Sequence, residues 1–216
     1  MKKLIIVALL LTAMFSAKAQ NIQTHYDMGK DRGYLTTTIE MFKADKWGNT
    51  FFFIDYDYDR KDDHGPSFSY FEIARCFSIK NGFSAQVEYN GGMFIQDAWL
   101  AGVDYSMHNA DYTKTLSLKA LYKHIEDNKY ENSFQLTAVW GMHFFDRKVS
   151  FTGFADFWRE KRVWGKDDSD FIFLTEPQIW YNVNKHFSVG SEIEISNNFI
   201  ANEFKVNPTL ALKWNF

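Results

Sequence analysis

Apolar and polar residues alternate along most of this chain. The last segment is the clearest case. Phe204, Val206, Pro208, Leu210, Leu212, Trp214 and Phe216 share one parity, and Lys205, Asn207, Thr209, Ala211, Lys213 and Asn215 share the other. A period of two puts such sets on opposite faces of a strand. The pattern recurs in 83–90, where Phe83, Ala85, Val87 and Tyr89 oppose Ser84, Gln86, Glu88 and Asn90, and again in 112–122, 133–143 and 187–195. Polar clusters with Gly and Asn separate the segments: Lys46-Trp47-Gly48-Asn49, Lys80-Asn81-Gly82, His108 to Asp111, Asp146-Arg147-Lys148 and Asn182 to Lys185. These are turn signals. The pattern predicts twelve strands, near 21–28, 33–45, 50–59, 67–79, 83–91, 95–107, 112–123, 132–145, 148–158, 170–182, 187–197 and 203–216.

The connections alternate in length. Short turns follow the even-numbered strands. The three long, polar connections (Arg60 to Pro66, His124 to Glu131, Lys161 to Asp170) all follow odd ones. An even-stranded outer-membrane barrel has this asymmetry, with short periplasmic turns and longer outer loops. Strands near ten residues suit a tilted membrane crossing. A soluble sandwich or lipocalin-like barrel would show the same alternation. Twelve strands exceed what a small packed barrel needs, and aromatics recur near strand ends (Tyr34, Phe83, Tyr89, Tyr105, Tyr122, Phe187, Trp214, Phe216), as interfacial girdles require. The expected fold is therefore all-β: a twelve-stranded antiparallel transmembrane β-barrel in the bacterial outer membrane. Pro177 and Pro208 fall inside proposed strands, and a bulge or local strand end is expected at each.

The N-terminus differs from the rest. Lys2 and Lys3 precede the apolar run Leu4 to Phe15, and Ala17-Lys18-Ala19 follows. These are the charged, apolar and small-x-small regions of a cleaved secretory signal. The expected division is a signal peptide over 1–19 and one barrel domain over 20–216. Cleavage removes three of 24 basic residues and none of 27 acidic ones, taking the formal charge from −3 to −6. An acidic chain gives no reason to expect nucleic acid as a partner. One Cys excludes an internal disulfide and any multi-cysteine metal site. No stretch after the N-terminus approaches the roughly 18 apolar residues of a spanning helix.

The segments Gly48-Asn49-Thr50-Phe51-Phe52-Phe53-Ile54-Asp55 and Ser69-Tyr70-Phe71-Glu72, with the C-terminal strand Thr209 to Phe216, resemble the Tsx-type nucleoside-specific channels of the outer membrane, and more closely an uncharacterised family of small outer-membrane proteins related to them. The resemblance implies a narrow channel for passive uptake of nucleosides or similar small polar solutes. The expected partners are outer-membrane lipid and a small solute.

With the apolar parity on lipid, the other parity lines the lumen. It collects Asp55, Asp57, Glu72, Glu88, Lys119, Asp156, Glu176 and Glu192, with the rings Phe53, Tyr70, Phe154, Trp158 and Trp180. Carboxylates in a pore favour cations. Rings stack a nucleobase, and carboxylates accept from ribose hydroxyls. The same groups also suit a filled barrel that pairs acids with Lys119 and Lys205. That barrel would be a lipid-modifying enzyme or a structural surface protein. Catalysis needs a nucleophile beside an oriented base. Most of the six His lie near strand ends, turns or loops; His143 lies inside a proposed strand with no Ser close to it in sequence, so no enzyme is expected. The acidic stretch Asp167 to Asp170 lacks EF-hand spacing, and no cofactor is expected.

Overall fold

In the computed structural model, residues 20–30, 32–59, 65–161, 170–200 and 202–216 are described. They form β1 (Gln20–Asp27), β2 (Leu35–Asp45), β3 (Gly48–Tyr58), β4 (Phe68–Lys80), β5 (Phe83–Gly92), β6 (Ala98–His108), β7 (Lys114–Ile125), β8 (Asn132–Phe144), β9 (Val149–Arg159), β10 (Phe171–Thr175), β11 (Gln178–Asn182), β12 (Phe187–Asn197) and β13 (Phe204–Asn215). All pairings are antiparallel, and β13 pairs with both β12 and β1, so the sheet closes on itself. β10 and β11 both lie between β9 and β12 and form two halves of one strand. The fold is a closed twelve-stranded barrel, and closure leaves no free edge. The proposed signal peptide, most of the third long connection with Asp167 to Ser169, and part of the first long connection lie outside the described residues.

Register carries one parity set around the ring. Phe53 lies opposite Glu72, Glu72 opposite Asn90, and Asn90 opposite Ala98. That set faces inward. Gln23, Gln86, Ser188 and Asn207 on it are at most 3% exposed. The other set faces out: Val87, Val103, Leu118, Leu136, Leu210 and Leu212 are 45% to 63% exposed. An apolar band outside and polar groups inside match a lipid-bathed barrel, in which every backbone group must be satisfied by a neighbouring strand. Aromatic pairs flank the band on the outer surface. Phe83 and Tyr105 stand 4.6 Å apart near the short turns, and Tyr89 and Trp99 4.6 Å apart near the longer loops. The barrel belongs in the bacterial outer membrane.

The two ends differ. One carries both ends of the barrel sheet, Gln20 and Asn215, with the short turns; the other carries the loops. Asn81 (φ 52°) and Gly82 (φ 84°) form the β4–β5 turn, where two left-handed residues match the twist of the flanking strands. A bulge at Ile79 adjoins it, since register shifts between Ser78 and Lys80. In the β6–β7 turn, Asp111 accepts from the Thr113 hydroxyl at 2.9 Å and backbone N–H at 3.2 Å, which hold its carboxyl below the usual range.

The prolines behave differently from each other. At Pro177 the strand stops between Thr175 and Gln178, and resumes without losing register against β9 or β12. Gly153 of β9, at φ 153°, stands beside the break; a Cβ there would lie 2.9 Å from Pro177 Cα. At Pro208, β13 is continuous, contrary to expectation. Its carbonyl accepts from Met28 N at 2.9 Å, just beyond the end of β1, so the missing N–H faces a strand end and costs no ladder bond. The irregularity sits one residue on. Ser191 and Glu192 drop out of the β12–β13 ladder; Thr209 Oγ1 accepts from Glu192 N at 3.0 Å, and Ser191 Oγ donates to Thr209 O at 2.6 Å.

Candidate functional site

All twelve lumen candidates stand on the inward parity. Three features organise them. The first is an acidic waist. Asp55 accepts from Thr38 Oγ1 at 2.5 Å and Asp57 from Thr36 Oγ1 at 2.6 Å, across the β2–β3 pair. Glu192 accepts from Gln178 Nε2 at 2.5 Å and lies 3.9 Å from His25 Nδ1. Thr137 Oγ1 donates to Asp156 Oδ1, and Gln86 Nε2 donates to Glu88 Oε2 at 2.7 Å. Most of these acids thus take neutral donors rather than cations. Glu72 faces the Tyr70 hydroxyl at 3.4 Å, and Glu176, beside the strand break, is half-buried.

The second feature is a patch on the β3–β4 inner wall. Phe53 lies opposite Glu72, and Asp55 opposite Tyr70, so rings and carboxylates alternate on a two-by-two grid. The Phe53 and Tyr70 ring centroids are 5.6 Å apart at 50°, and both rings are half-buried. The remaining aromatic candidates are less open. Trp158 is 6% exposed and packs with Ile172 and Leu174, with Phe154 and Phe199 against that cluster. Trp180 is 1% exposed. Lys119 of β7 is cross-strand from Asp104.

The third feature was not legible from the sequence: a vestibule of about 520 Å³ at the short-turn end, lined among others by His143, Arg147, Lys148, Ser150, Trp180, Lys185 and Lys213. Register across β8–β9 brings Ser150 Oγ to 2.9 Å from His143 Nδ1, and Asn182 Nδ2 donates to the same Oγ at 3.0 Å. This supplies the serine partner that sequence proximity lacked. The base has no orienting acid among the described residues, and its charged neighbours are Arg147 and Lys213. A nucleophile–base pair without that third group is not a triad. Glu40, Asp104 and Lys123 also face inward; strand β2 is threonine-rich on both faces, so parity alone did not single out Glu40.

At the loop end, Arg32 latches the first loop to the wall. Its Nη1 donates to Asp27 Oδ2 at 2.7 Å and its Nη2 to Glu194 Oε2 at 3.0 Å. The two carboxylate side chains are 7% and 11% exposed. Removing one partner of a buried pair strands the other charge. Arg32→Ala is expected to destabilise the barrel by about 3 kcal/mol, measured by urea unfolding in lipid vesicles; Arg32→Lys should recover part of the loss.

A family model described as "Domain of unknown function (DUF5020)" matches residues 19–216. The chain belongs to the DUF5020 family. Comparison with curated proteins gives no match. Among solved structures, the barrel is similar to the NanC porin (TM-score 0.64, 8% identity, covering 92% of this chain and 100% of that one). It is also similar to the KdgM porin (TM-score 0.56, 8% identity, 92% and 99%) and to a KdgM porin in complex with disordered oligogalacturonate (TM-score 0.55, 8% identity, 92% and 99%). At this identity the likeness shows the fold shared by this DUF5020 barrel and small outer-membrane porins.

Proposed function

We propose that this DUF5020 barrel is a channel for passive uptake of nucleosides or similar small polar solutes, favouring cations and neutral molecules over anions. The ring–carboxylate patch of Phe53, Tyr70, Asp55 and Glu72 carries the reading. A base stacks on a ring face whatever its identity, and the neighbouring carboxylates accept from sugar hydroxyls. The barrel shape shared with porins supports a channel. The solute differs from that of the KdgM complex: oligogalacturonate is a chain of carboxylates, and an acid-lined waist repels it.

A specific observation favours a filled barrel as the second reading. Trp180, Ser188, Gln86 and Gln23 are at most 1% exposed, so side chains occupy much of the lumen wall. Adenosine block of the ion current separates the two. Concentration-dependent block supports the channel with a lumenal site. Phe53→Ala is expected to weaken it about tenfold, the low end of what one stacked base contributes. Equal block in wild type and variant would move the site off this patch.

A further inference from the structure

We propose that the short-turn vestibule is an oxyanion site centred on Lys213, which holds a small phosphate- or carboxylate-bearing solute at the periplasmic mouth while the acidic waist bars its passage. The inference rests on the channel reading only for the last clause.

Charge is segregated along the barrel axis. The waist is dominated by carboxylates. The vestibule carries four cations, Arg147, Lys148, Lys185 and Lys213, and one acid, Asp146. By the rule that short turns face the periplasm, this mouth lies on that side. Lys213 is the central group. Its ammonium lies 3.8 Å from the Trp180 ring centroid, on a ring that is itself 1% exposed. Among the described residues it makes no hydrogen bond and no ion pair; Glu40 and Glu192 attract it from the waist side without pairing with it. An ammonium has three donors, so Lys213 presents to the cavity donors that no described residue accepts from. Two other cations are engaged on their outer sides: Arg147 Nη2 donates to Asp111 O at 3.1 Å, and Lys148 stands 6.0 Å from the Tyr181 ring. Lys185 stays at the rim. The Asn182 amide, which donates to Ser150 Oγ and Arg147 O and accepts from Ser188 Oγ, lines the cavity together with the Ser150 hydroxyl. Its volume, about 520 Å³, falls in the usual range for small-ligand sites, roughly 300–1,000 Å³. Charge-assisted hydrogen bonds to an oxyanion are about twice as strong as neutral ones, and low-dielectric walls focus the field of the four cations.

The turn that brings Arg147 and Lys148 to the rim is held in an unusual shape. Phe145, Asp146 and Arg147 are all left-handed, at φ 52°, 50° and 63°. Left-handed non-glycine residues persist where surroundings enforce them, and they gather at ligand sites.

The test is calorimetric titration of the folded barrel in detergent, at low salt, with inorganic phosphate. A dissociation constant of about 1 mM or tighter is expected, weakened at least about tenfold in Lys213→Gln. Lys205→Gln, at the loop end and paired with Glu203 at 3.1 Å, should bind as wild type does. If Lys213→Gln does not fold, the double variant Lys148→Gln with Lys185→Gln takes its place, with weakening in the same direction. Absence of binding, or equal binding in wild type and vestibule variants, overturns the site. A companion bilayer recording adds phosphate to one side at a time: block from the short-turn side alone supports the barred passage, and equal block from both sides overturns it. A barrel that binds phosphate through Lys213 yet passes no current keeps the site and removes the channel reading. One that conducts but binds no phosphate does the reverse.

Discussion

Replacing Glu72, Glu176 and Glu192 together by glutamine will abolish the cation preference of the pore. In a salt gradient, the wild-type reversal potential should report a potassium-to-chloride permeability ratio of about 5 or more, falling to about 1 in the triple variant, because pore carboxylates set the sign of the admitted ion. Two unit charges 4 Å apart interact by about 4 kcal/mol at an effective dielectric of 20, so the loss of carboxylate charge from the lumen outweighs any small change in radius. The same variant separates a working waist from mere filling. Glu192 and Glu72 take Gln178 and Tyr70 as their hydrogen-bond donors, and neither makes an ion pair with Lys119 or Lys123 among the described residues. Removing like charges from such a cluster relieves repulsion, so stability should hold or rise. If the acids instead served as salt-bridge filler, stability would fall by several kcal/mol as lysines lost partners. An unchanged reversal potential would show that ions do not pass the waist.

The second large effect falls on the fold. Gly153→Val should prevent assembly of the barrel. At φ 153° an added Cβ would meet Glu176 O at 2.6 Å, Trp140 Cζ2 at 2.8 Å and Pro177 Cα at 2.9 Å. Two of those atoms are backbone, so neither side can yield cheaply. A β-branched residue also disfavours this backbone region. The expected loss is more than about 4 kcal/mol, read as failure to gain the heat-modifiable band of a folded barrel on an unboiled gel. Pro177→Ala is the informative partner: it should leave folding intact, because the break keeps its register on both sides.

Much of this architecture is legible in alternation. The parity of Lys205, Asn207, Thr209, Ala211 and Lys213 is the inward parity of β13, and every lumen candidate stands on the inner wall, because a period of two admits only two sides. The strand end at Pro177 follows from the missing N–H. Pro208 escapes the same rule because β1 ends at Asp27, and where a neighbour stops is a property of the barrel rather than of residues 203–216. Height along the axis was hidden for a related reason. Parity says inside or outside; strand tilt and shear decide which inward residues share a level. Glu192 and Lys213 lie on adjacent strands with the same parity, yet one joins the waist and the other the vestibule. The contact of His143 with Ser150 depends on the β8–β9 register, which the left-handed turn at Phe145 to Arg147 fixes.

The most direct measurement is the single-channel conductance of the purified, refolded protein in a planar bilayer, first in potassium chloride and then with adenosine. Steady, cation-selective steps that adenosine reduces in a concentration-dependent way are expected. A barrel that is demonstrably folded and inserted, yet gives no steps at all, would contradict the channel and leave the filled barrel as the correct description.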